Sequence, residues 1–378
     1  MAPHTFIFAG GGTGGHLYPG LAIAHELRAL TGPATRCLFL CSSRPIDASI
    51  LSAAGADFHP ISAQPFSLSP RALWRFANSW GVAIRQTRSV IRDERARNPH
   101  IRLVALGGFV AAPAVQAAIA ERLPITLINL DAVPGKANRW MSSRLRGRAN
   151  TLAFTTFPVA APFAHWWQTV PPIVRREAAP DCTTQEARAR LGLDPSRPTL
   201  MVTGASLGAR SINDLLPAFI AANPSALAHW QVLHQTGTDD NSALTCAYAA
   251  ASIPALVTKF VPDMGLWWRA ADLAIARAGA GLVAEAWANA VPTLFLPYPY
   301  HKDQHQRLNA QALVRIGGAR CETDRIAPAA NLAVIGPILL NLLNSPAQRA
   351  AMSAAIRTLG PANGSAQIAA ALLQPATA

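Results

Sequence analysis

Apolar and polar positions along the 378-residue chain follow one repeating scheme: a short apolar run, a turn, then a longer stretch of helical period. Residues 5–9 form the first run and residues 17–30 the first helical stretch. Further runs at 36–41, 101–106 and 125–130 are separated by helical segments. Buried strands alternating with helices predict a parallel, doubly wound sheet. Residues 158–172 break the scheme with several prolines and no period, which reads as a linker. The pattern then restarts with a run at 199–203, a second glycine turn, a helix opening near Ile212, and runs at 230–235, 256–260, 273–276 and 293–296. The expected fold class is α/β, with two Rossmann-like doubly wound domains facing a cleft. The segment from Ser345 onward reads as helices with alanine-rich faces. Residues 103–120 are uncharged and nearly long enough to span a membrane. Gly107, Gly108, Pro113 and Gln116 interrupt them, which predicts a buried strand, turn and helix instead.

Composition narrows the class. Hydrophobic residues make up 51% of the chain and charged residues 14%, enough for a large core and unlike a disordered protein. The length fits two domains at roughly 150 residues each. The formal net charge of +13 points to an anionic partner. Lysine occurs only at Lys136, Lys259 and Lys302, so the charge is almost all arginine, and no nucleic-acid-binding motif accompanies it. The five cysteines, Cys37, Cys41, Cys182, Cys246 and Cys321, show neither C-x-x-C nor zinc-finger spacing, as expected in a reducing cytoplasm. The run at 6–9 is too short for a signal peptide and has no basic leader. A soluble or peripheral protein is expected.

Candidate chemistry begins in "FIFAGGGTGGHLYPGL", residues 6–21. Gly10-x-Gly12-x-x-Gly15 has the spacing of a dinucleotide-binding fingerprint, and glycines before a helix let backbone N–H groups approach an anion. That reading also needs an acidic residue about 20 positions on, at the end of the second strand. Here the strand runs into Cys41, Ser42, Ser43 and Arg44, and the first carboxylate is Asp47, in the next segment. Arg44 would suit a 2′-phosphate, so an NADP-dependent oxidoreductase stays as a lesser alternative. Thr13 and His16 stand at the mouth of the loop, and His16 fits either a cap-region position or a group facing a cleft. "GASLGARSIN", residues 204–213, repeats the strand, loop and helix logic, with Ser206 in a second anion cradle. "ARAGAGLVAEA", residues 276–286, gives a third, with Glu285 either solvated or accepting hydrogen bonds from a sugar diol. "PYPYHKDQHQRLNA", residues 297–310, concentrates His301, Lys302, Asp303, His305, Gln306 and Asn309 where open α/β sheets bind ligands.

Taken in order with "GGFVAAPAVQAA", "AVPGKANRW" and "KFVPDM", these stretches resemble the MurG family of bacterial N-acetylglucosaminyltransferases, which convert lipid I to lipid II in peptidoglycan synthesis. The resemblance runs from Gly10 to about Gly318. It implies a GT-B fold with an acceptor- and membrane-facing domain at 1–160, a linker at 161–175 and a UDP-sugar domain at 176–345. C-terminal helices at 346–378 are expected to pack back towards the N-terminal domain. The donor is expected to be UDP-GlcNAc and the acceptor a lipid-linked muropeptide. Transfer is expected to invert the anomeric carbon without cofactor or metal, at the cytoplasmic face of the cell membrane. In line with the last point, the chain has no D-x-D pair.

Carried over by residue, the resemblance puts Ser206 at the donor phosphates, Phe260 and Val261 around the uracil, Glu285 on the ribose, and Gln306 and Asn309 on the GlcNAc hydroxyls. Thr13, His16 and Asn213 line the cleft, and Gly14 and Gly15 belong to the loop facing the acceptor pyrophosphate. Arg175 or Arg277 would balance pyrophosphate charge, and His16 or Asp131 would be the base. Departures gather on the acceptor side. "INLD", residues 128–131, stands for the family's "HEQN", putting Asn129 at the Glu position and Asp131 at the Asn. Leu207, Phe109, Ala278 and His305 replace the family's Gln, Tyr, Ser and Gln. A divergent homologue with another acceptor, or a non-catalytic one, stays open.

Residues 68–92 place Leu73, Trp74, Phe76, Ala77 and Trp80 together on a helix among Arg71, Arg75, Arg85, Arg88 and Arg92. Arg139, Arg144, Arg146 and Arg148 extend the basic surface. This fits either an anionic bilayer surface or a core face with a solvated rim.

Overall fold

The structure, a computed structural model, describes residues 4–66, 69–159 and 164–374. In the first series β1 (Thr5–Ala9), β2 (Arg36–Ser42), β3 (Asp57–Ile61), β4 (Ile101–Ala105), β5 (Ile125–Asn129), β6 (Thr151–Thr155) and β7 (Gln168–Thr169) carry α1 (Gly14–Thr31), α2 (Pro45–Ala53), α3 (Pro70–Arg97), α4 (Gly108–Ala120) and α5 (Lys136–Leu145) between them. After α6 (Thr184–Arg190) the second series holds β8 (Thr199–Thr203), β9 (Gln231–Gln235), β10 (Ala255–Thr258), β11 (Leu273–Ala276), β12 (Thr293–Phe295) and β13 (Ala319–Cys321). Its helices are α7 (Arg210–Ala222), α8 (Ser242–Ala250), α9 (Met264–Ala270), α10 (Ala280–Asn289) and α11 (His305–Val314). Three helices close the chain: α12 (Pro328–Asn344), α13 (Pro346–Arg357) and α14 (Gly364–Leu373). The chain divides into two compact units, Met1–Arg175 with Asn363–Ala378, and Arg176–Ala362.

In the first unit all strand pairs are parallel, in the order β3-β2-β1-β4-β5-β6-β7. β1, β4 and β5 are buried along their whole length, which is why they read as continuous apolar runs rather than alternating ones. One face of the sheet is covered by α4, whose Val110, Ala111, Ala114 and Val115 pack with Ile7, Leu103 and Leu127. The small alanines let this helix lie close to the strands. On the other face Leu17, Ile23 and Leu27 of α1 pack with Phe6, Phe8 and Phe39, together with Ile368 and Leu372 of α14.

The second unit repeats the plan with a parallel sheet ordered β10-β9-β8-β11-β12-β13. Ile212, Leu215 and Phe219 of α7 and Ile335, Leu339 and Leu342 of α12 cover Leu200, Val202, Val232 and Ile275. Among the described residues no single helix is long and apolar enough to cross a membrane. The one bent pair that passes by length and composition, α12 with α13, puts its apolar residues into this core.

Strand order reverses direction between β1 and β4 and again between β8 and β11, and ligands of open α/β sheets bind at such points. Four strands escape the hydrophobic pattern: β3, β6, β7 and β13. β3, β7 and β13 lie at sheet edges, where one side of the strand is solvated and the apolar run shrinks. β3 even contains Pro60, which an edge tolerates because no partner needs its N–H. Gln168–Thr169 pairs with β6 within the segment whose prolines read as linker.

Candidate functional site

At the first reversal the glycine loop is organised by a carboxylate from outside it. Asp47, on α2, is fully buried and accepts the Gly12 N–H on both oxygens, at 3.0 and 2.8 Å. It also accepts the Ser42 N–H at 3.0 Å and the Ser42 hydroxyl at 2.6 Å. The residue that came too late to hold a ribose therefore holds the loop. Arg44, the candidate for a 2′-phosphate, donates to the Gly12 carbonyl at 3.0 Å and lies over the Phe109 ring, 5.2 Å from its centre. A Cβ at Gly12 would meet Phe109 Cε1 at 2.6 Å. The inner part of the loop is thus filled by the protein's own groups, which removes the structural basis of the dinucleotide reading.

What remains at the mouth is the start of α1. Thr13 is its N-cap, but its hydroxyl makes no capping bond and instead sits 3.3 Å from His16 Nδ1. The His16 ring lies against the Gly107–Gly108 turn that comes after β4. Cβ atoms there would stand 3.3 Å from Cδ2 and 3.2 Å from Cε1, and both glycines have positive φ, +97° and +75°. A side chain at either position would be strained and would press on the imidazole. Burial pushes the His16 pKa below its ordinary 6.5, opposed by the charges of Asp131 and Asp47 and by a hydrogen bond with the Gly11 backbone. The ring is therefore held neutral near pH 7, with a carboxylate close enough to favour its protonated form.

Asp131 is half-buried beside a knot of amides. Asn129 donates to the Asp131 carbonyl at 2.7 Å and to Thr155 Oγ1 at 3.0 Å, and its Oδ1 accepts from Asn138 Nδ2 at 3.1 Å. Asn129 is 1% exposed, so the neutral residue at the family's Glu position serves as an internal tie. The structure thus brings Thr13, Gly14, Gly15 and His16, beyond β1, and Asp131, beyond β5, to the carboxyl end of the first sheet. Arg175, the last residue of this unit's first segment, stacks its guanidinium over the Tyr18 ring at 4.3 Å, on the same helix as His16.

In the second unit the loop after β8 is open. Ser206 is exposed and Leu207 is 91% exposed. Ala205 takes the left-handed conformation at φ +65°, a strained state for a non-glycine residue, and its N–H donates to Thr203 Oγ1 at 3.1 Å. The N-cap residues of α7 and α10, Ala209 and Gly279, make no side-chain capping bond, so neither helix start at the second reversal carries a side-chain cap. Glu285 lies in α10, half-buried, and its Oε2 accepts the Trp268 indole N–H at 2.8 Å. Val261 is buried while Phe260 is 53% exposed, an apolar ring presented beyond β10.

Four expected ligand residues are already engaged. Arg277 is buried and cannot serve the pyrophosphate: it pairs with buried Asp324 at 2.7 Å and donates to the Leu296 carbonyl at 2.8 Å and to Ser211 Oγ at 3.0 Å. Asn213 gives both ends of its amide to His234 and Thr236. Asn309 is fully buried and donates to the Ala278 carbonyl at 3.3 Å. Gln306 accepts the Tyr298 N–H at 2.8 Å, which ties the loop after β12 to α11. That helix opens at Gln304 in the left-handed region, φ +51°. Among the described residues no group of three or more His, Cys, Asp or Glu is arranged to hold a metal ion.

Sequence reasoning missed Asp47 as a loop anchor, the Gly107–Gly108 seat for His16, Trp268 behind Glu285, and Asp324 behind Arg277. The doubled glycine after a buried strand was the one signal available for the seat. The other partners lie far apart in sequence.

These two strand-end sites on parallel α/β sheets define a glycosyltransferase of the GT-B fold once its relatives are considered. Residues 6–149 match the glycosyltransferase family 28 N-terminal domain and residues 199–368 its C-terminal domain. The chain is 35% identical, over 97% of its length and 95% of the relative's, to the UDP-N-acetylglucosamine–N-acetylmuramyl-(pentapeptide) pyrophosphoryl-undecaprenol N-acetylglucosamine transferase of Clavibacter sepedonicus. It is 32% identical to the protein of that name from Pelobacter propionicus, over 90% of this chain and 91% of that one. The crystal structure of Acinetobacter baumannii MurG superposes with a TM-score of 0.72 at 23% identity, covering 98% and 99% of the two chains. The chain belongs to glycosyltransferase family 28, among the relatives that carry the MurG name.

Proposed function

We propose that the protein transfers N-acetylglucosamine from UDP-GlcNAc to a lipid-linked N-acetylmuramyl-pentapeptide. The observation that carries this reading is the 35% identity to a transferase of that name across 97% of the chain. In the proposed reaction an acceptor hydroxyl attacks the anomeric carbon. The new C–O bond forms as the bond to the UDP phosphate breaks, which inverts the centre. His16 takes the hydroxyl proton: it is held neutral, Thr13 Oγ1 sits beside Nδ1, and the ring seat is fixed by Gly107 and Gly108. Asp131 supports the imidazolium that results rather than acting as base itself. UDP leaves with its charge on the amides around Ser206 and on the uncapped starts of α7 and α10. Glu285, oriented by Trp268, binds the ribose, while Phe260 and the Val261 backbone hold the uracil. Arg277, Asn309 and Gln306 shape the donor loops from within. A transfer assay with radiolabelled UDP-GlcNAc and lipid-linked muropeptide tests the reading. Labelled lipid product is expected, and hydrolysis of UDP-GlcNAc to UDP and free sugar without lipid labelling would overturn it.

An anionic membrane surface is the proposed docking partner on the side of the acceptor, at the cytoplasmic face. The support is a graded aromatic surface on α3. Leu73 and Trp74 are exposed, at 44% and 68%, and Phe66 at 50%. Phe76 packs edge-on to Phe66 at 5.4 Å, and Trp80 packs on Trp140 at 5.5 Å. Only the outer part of this surface is available to lipid, because Trp80 packs against the core. Arg71, Arg75, Arg85 and Arg144 are exposed around it. Arg88 and Arg92, expected in the basic ring, pair with Glu121 at 2.7 and 3.2 Å and are set aside from it. Leu68, where the expected segment starts, lies outside the described residues. Flotation with vesicles of neutral and anionic lipid tests the docking, and equal recovery on both would sink it.

A further inference from the structure

The second unit contains a line of buried hydrogen bonds that neither donor nor acceptor binding explains. His234, on β9, lies with Nδ1 2.9 Å from the Tyr248 hydroxyl of α8 and Nε2 3.1 Å from Asn213 Oδ1 of α7. Asn213 Nδ2 donates to the Thr236 carbonyl at 3.0 Å. The directions come from the chemistry of each group. An amide oxygen only accepts, so His234 Nε2 carries the hydrogen, and Nδ1 accepts from the Tyr248 hydroxyl. His234 is fully buried, which pushes its pKa down to about 3, and burial raises that of Tyr248. Both groups stay neutral across the physiological range, so the line is a fixed brace and not a proton path.

The brace ends on a turn that touches the donor loop. Thr236 and Gly237 donate to the Thr258 and Lys259 carbonyls at 2.9 and 3.1 Å, which fastens the turn on its far side. On its near side it lies flush against Gly208. A Cβ on Gly208 would fall on the Thr236 carbonyl oxygen, and one on Gly237 would fall on the Gly208 amide. Both glycines have positive φ, +69° and +74°. Two backbones therefore meet with no side chain between them, and the position of one dictates the position of the other.

We propose that His234 is a positioning residue for the donor loop: through Asn213 it fixes the Thr236–Gly237 turn, and the turn sets Gly208 and the amides around Ser206. The inference rests on the reading that residues 204–209 hold the donor phosphates. It assigns Asn213 a role that acts through Thr236.

The test compares His234→Gln, which keeps an N–H near the Nε2 position, with His234→Leu, which removes both ring nitrogens. UDP is titrated into each at a temperature well below its Tm, and exchange of the Gly208 amide, which donates to the Ala205 carbonyl at 2.8 Å, is monitored without ligand. His234→Leu is expected to bind UDP about tenfold more weakly, the scale of one buried hydrogen bond, with His234→Gln within about threefold of wild type. Donor KM should rise with little change in kcat or acceptor KM, and Gly208 exchange should quicken in His234→Leu alone. Both variants losing Tm equally, with unchanged UDP affinity in the folded protein, overturns the proposal. If wild type itself does not bind UDP, the donor reading fails. Gly208 exchange then decides the brace by itself, and unchanged exchange in His234→Leu overturns it.

Discussion

The two glycine loops begin from the same grammar, a buried strand, a glycine turn and a helix start, and the protein uses them in opposite ways. In the first unit the loop is closed from within: Asp47 takes the Gly12 N–H, Arg44 takes the Gly12 carbonyl, and Phe109 fills the space above. In the second unit the loop is braced from behind by backbone, and its outer face, with Ser206 and Leu207, is left exposed. A loop whose Gly12 amide already serves a carboxylate cannot also offer that N–H to a phosphate. It can, however, present a side chain from the first turn of the next helix, and here that side chain is His16. A loop braced from behind keeps its outward amides for a ligand. The comparison separates a loop filled by the protein's own groups from a loop whose outer face stays exposed.

The largest effect expected is on the first unit's chemistry. His16→Ala should lower kcat by about 10²–10⁴-fold, the usual range for a lost general base, and leave UDP affinity unchanged. Because burial puts the His16 pKa below 6.5, the neutral, active form dominates at pH 7 and above. Activity should then fall on the acid side as the ring protonates, and this acid limb should vanish in the residual activity of the variant. An unaltered kcat–pH profile in His16→Ala would move the base to Asp131.

Next in size is Gly208→Ala. Its Cβ would enter the Thr236 carbonyl at a backbone angle unfavourable to L residues, so the loop must shift. Donor KM should rise at least tenfold while the acceptor KM holds. Equal losses for both substrates would mean that the two units are not divided as described.

The smallest effect on catalysis concerns the aromatic surface. Trp74→Ala removes the most exposed of its large apolar groups and should weaken binding to anionic vesicles by about 2 kcal/mol, roughly thirtyfold. Turnover of a soluble acceptor analogue should not change.

Much of this arrangement was legible in the sequence, and the losses have identifiable causes. The central strands announced themselves because both faces are buried, whereas β3 and β13 lost half their apolar signal at sheet edges. His16 and Ser206 stood out because glycine crowding marks a place where backbone must come close to something. Asp47 was noticed only as the wrong distance from the loop. Its real contact closes 35 residues of chain, which no local pattern can display. Arg277 misled for the same reason: an arginine just past a strand reads as exposed until Asp324, 47 residues on, returns to neutralise it. The arginine-rich face of α3 was visible, but Glu121, which takes up Arg88, Arg92 and Arg95, lies beyond the next strand and helix.

The division of labour between the loops is tested most directly by calorimetric titration of UDP into wild type, Asp47→Asn and Gly208→Ala. Loss of the Asp47 carboxylate should cost about 1–3 kcal/mol of stability and impair turnover through His16. The account predicts that Asp47→Asn, measured below its Tm, binds UDP as wild type does, while Gly208→Ala binds at least tenfold more weakly. The reverse order, with UDP lost on disturbing the first loop and kept on disturbing the second, would contradict it.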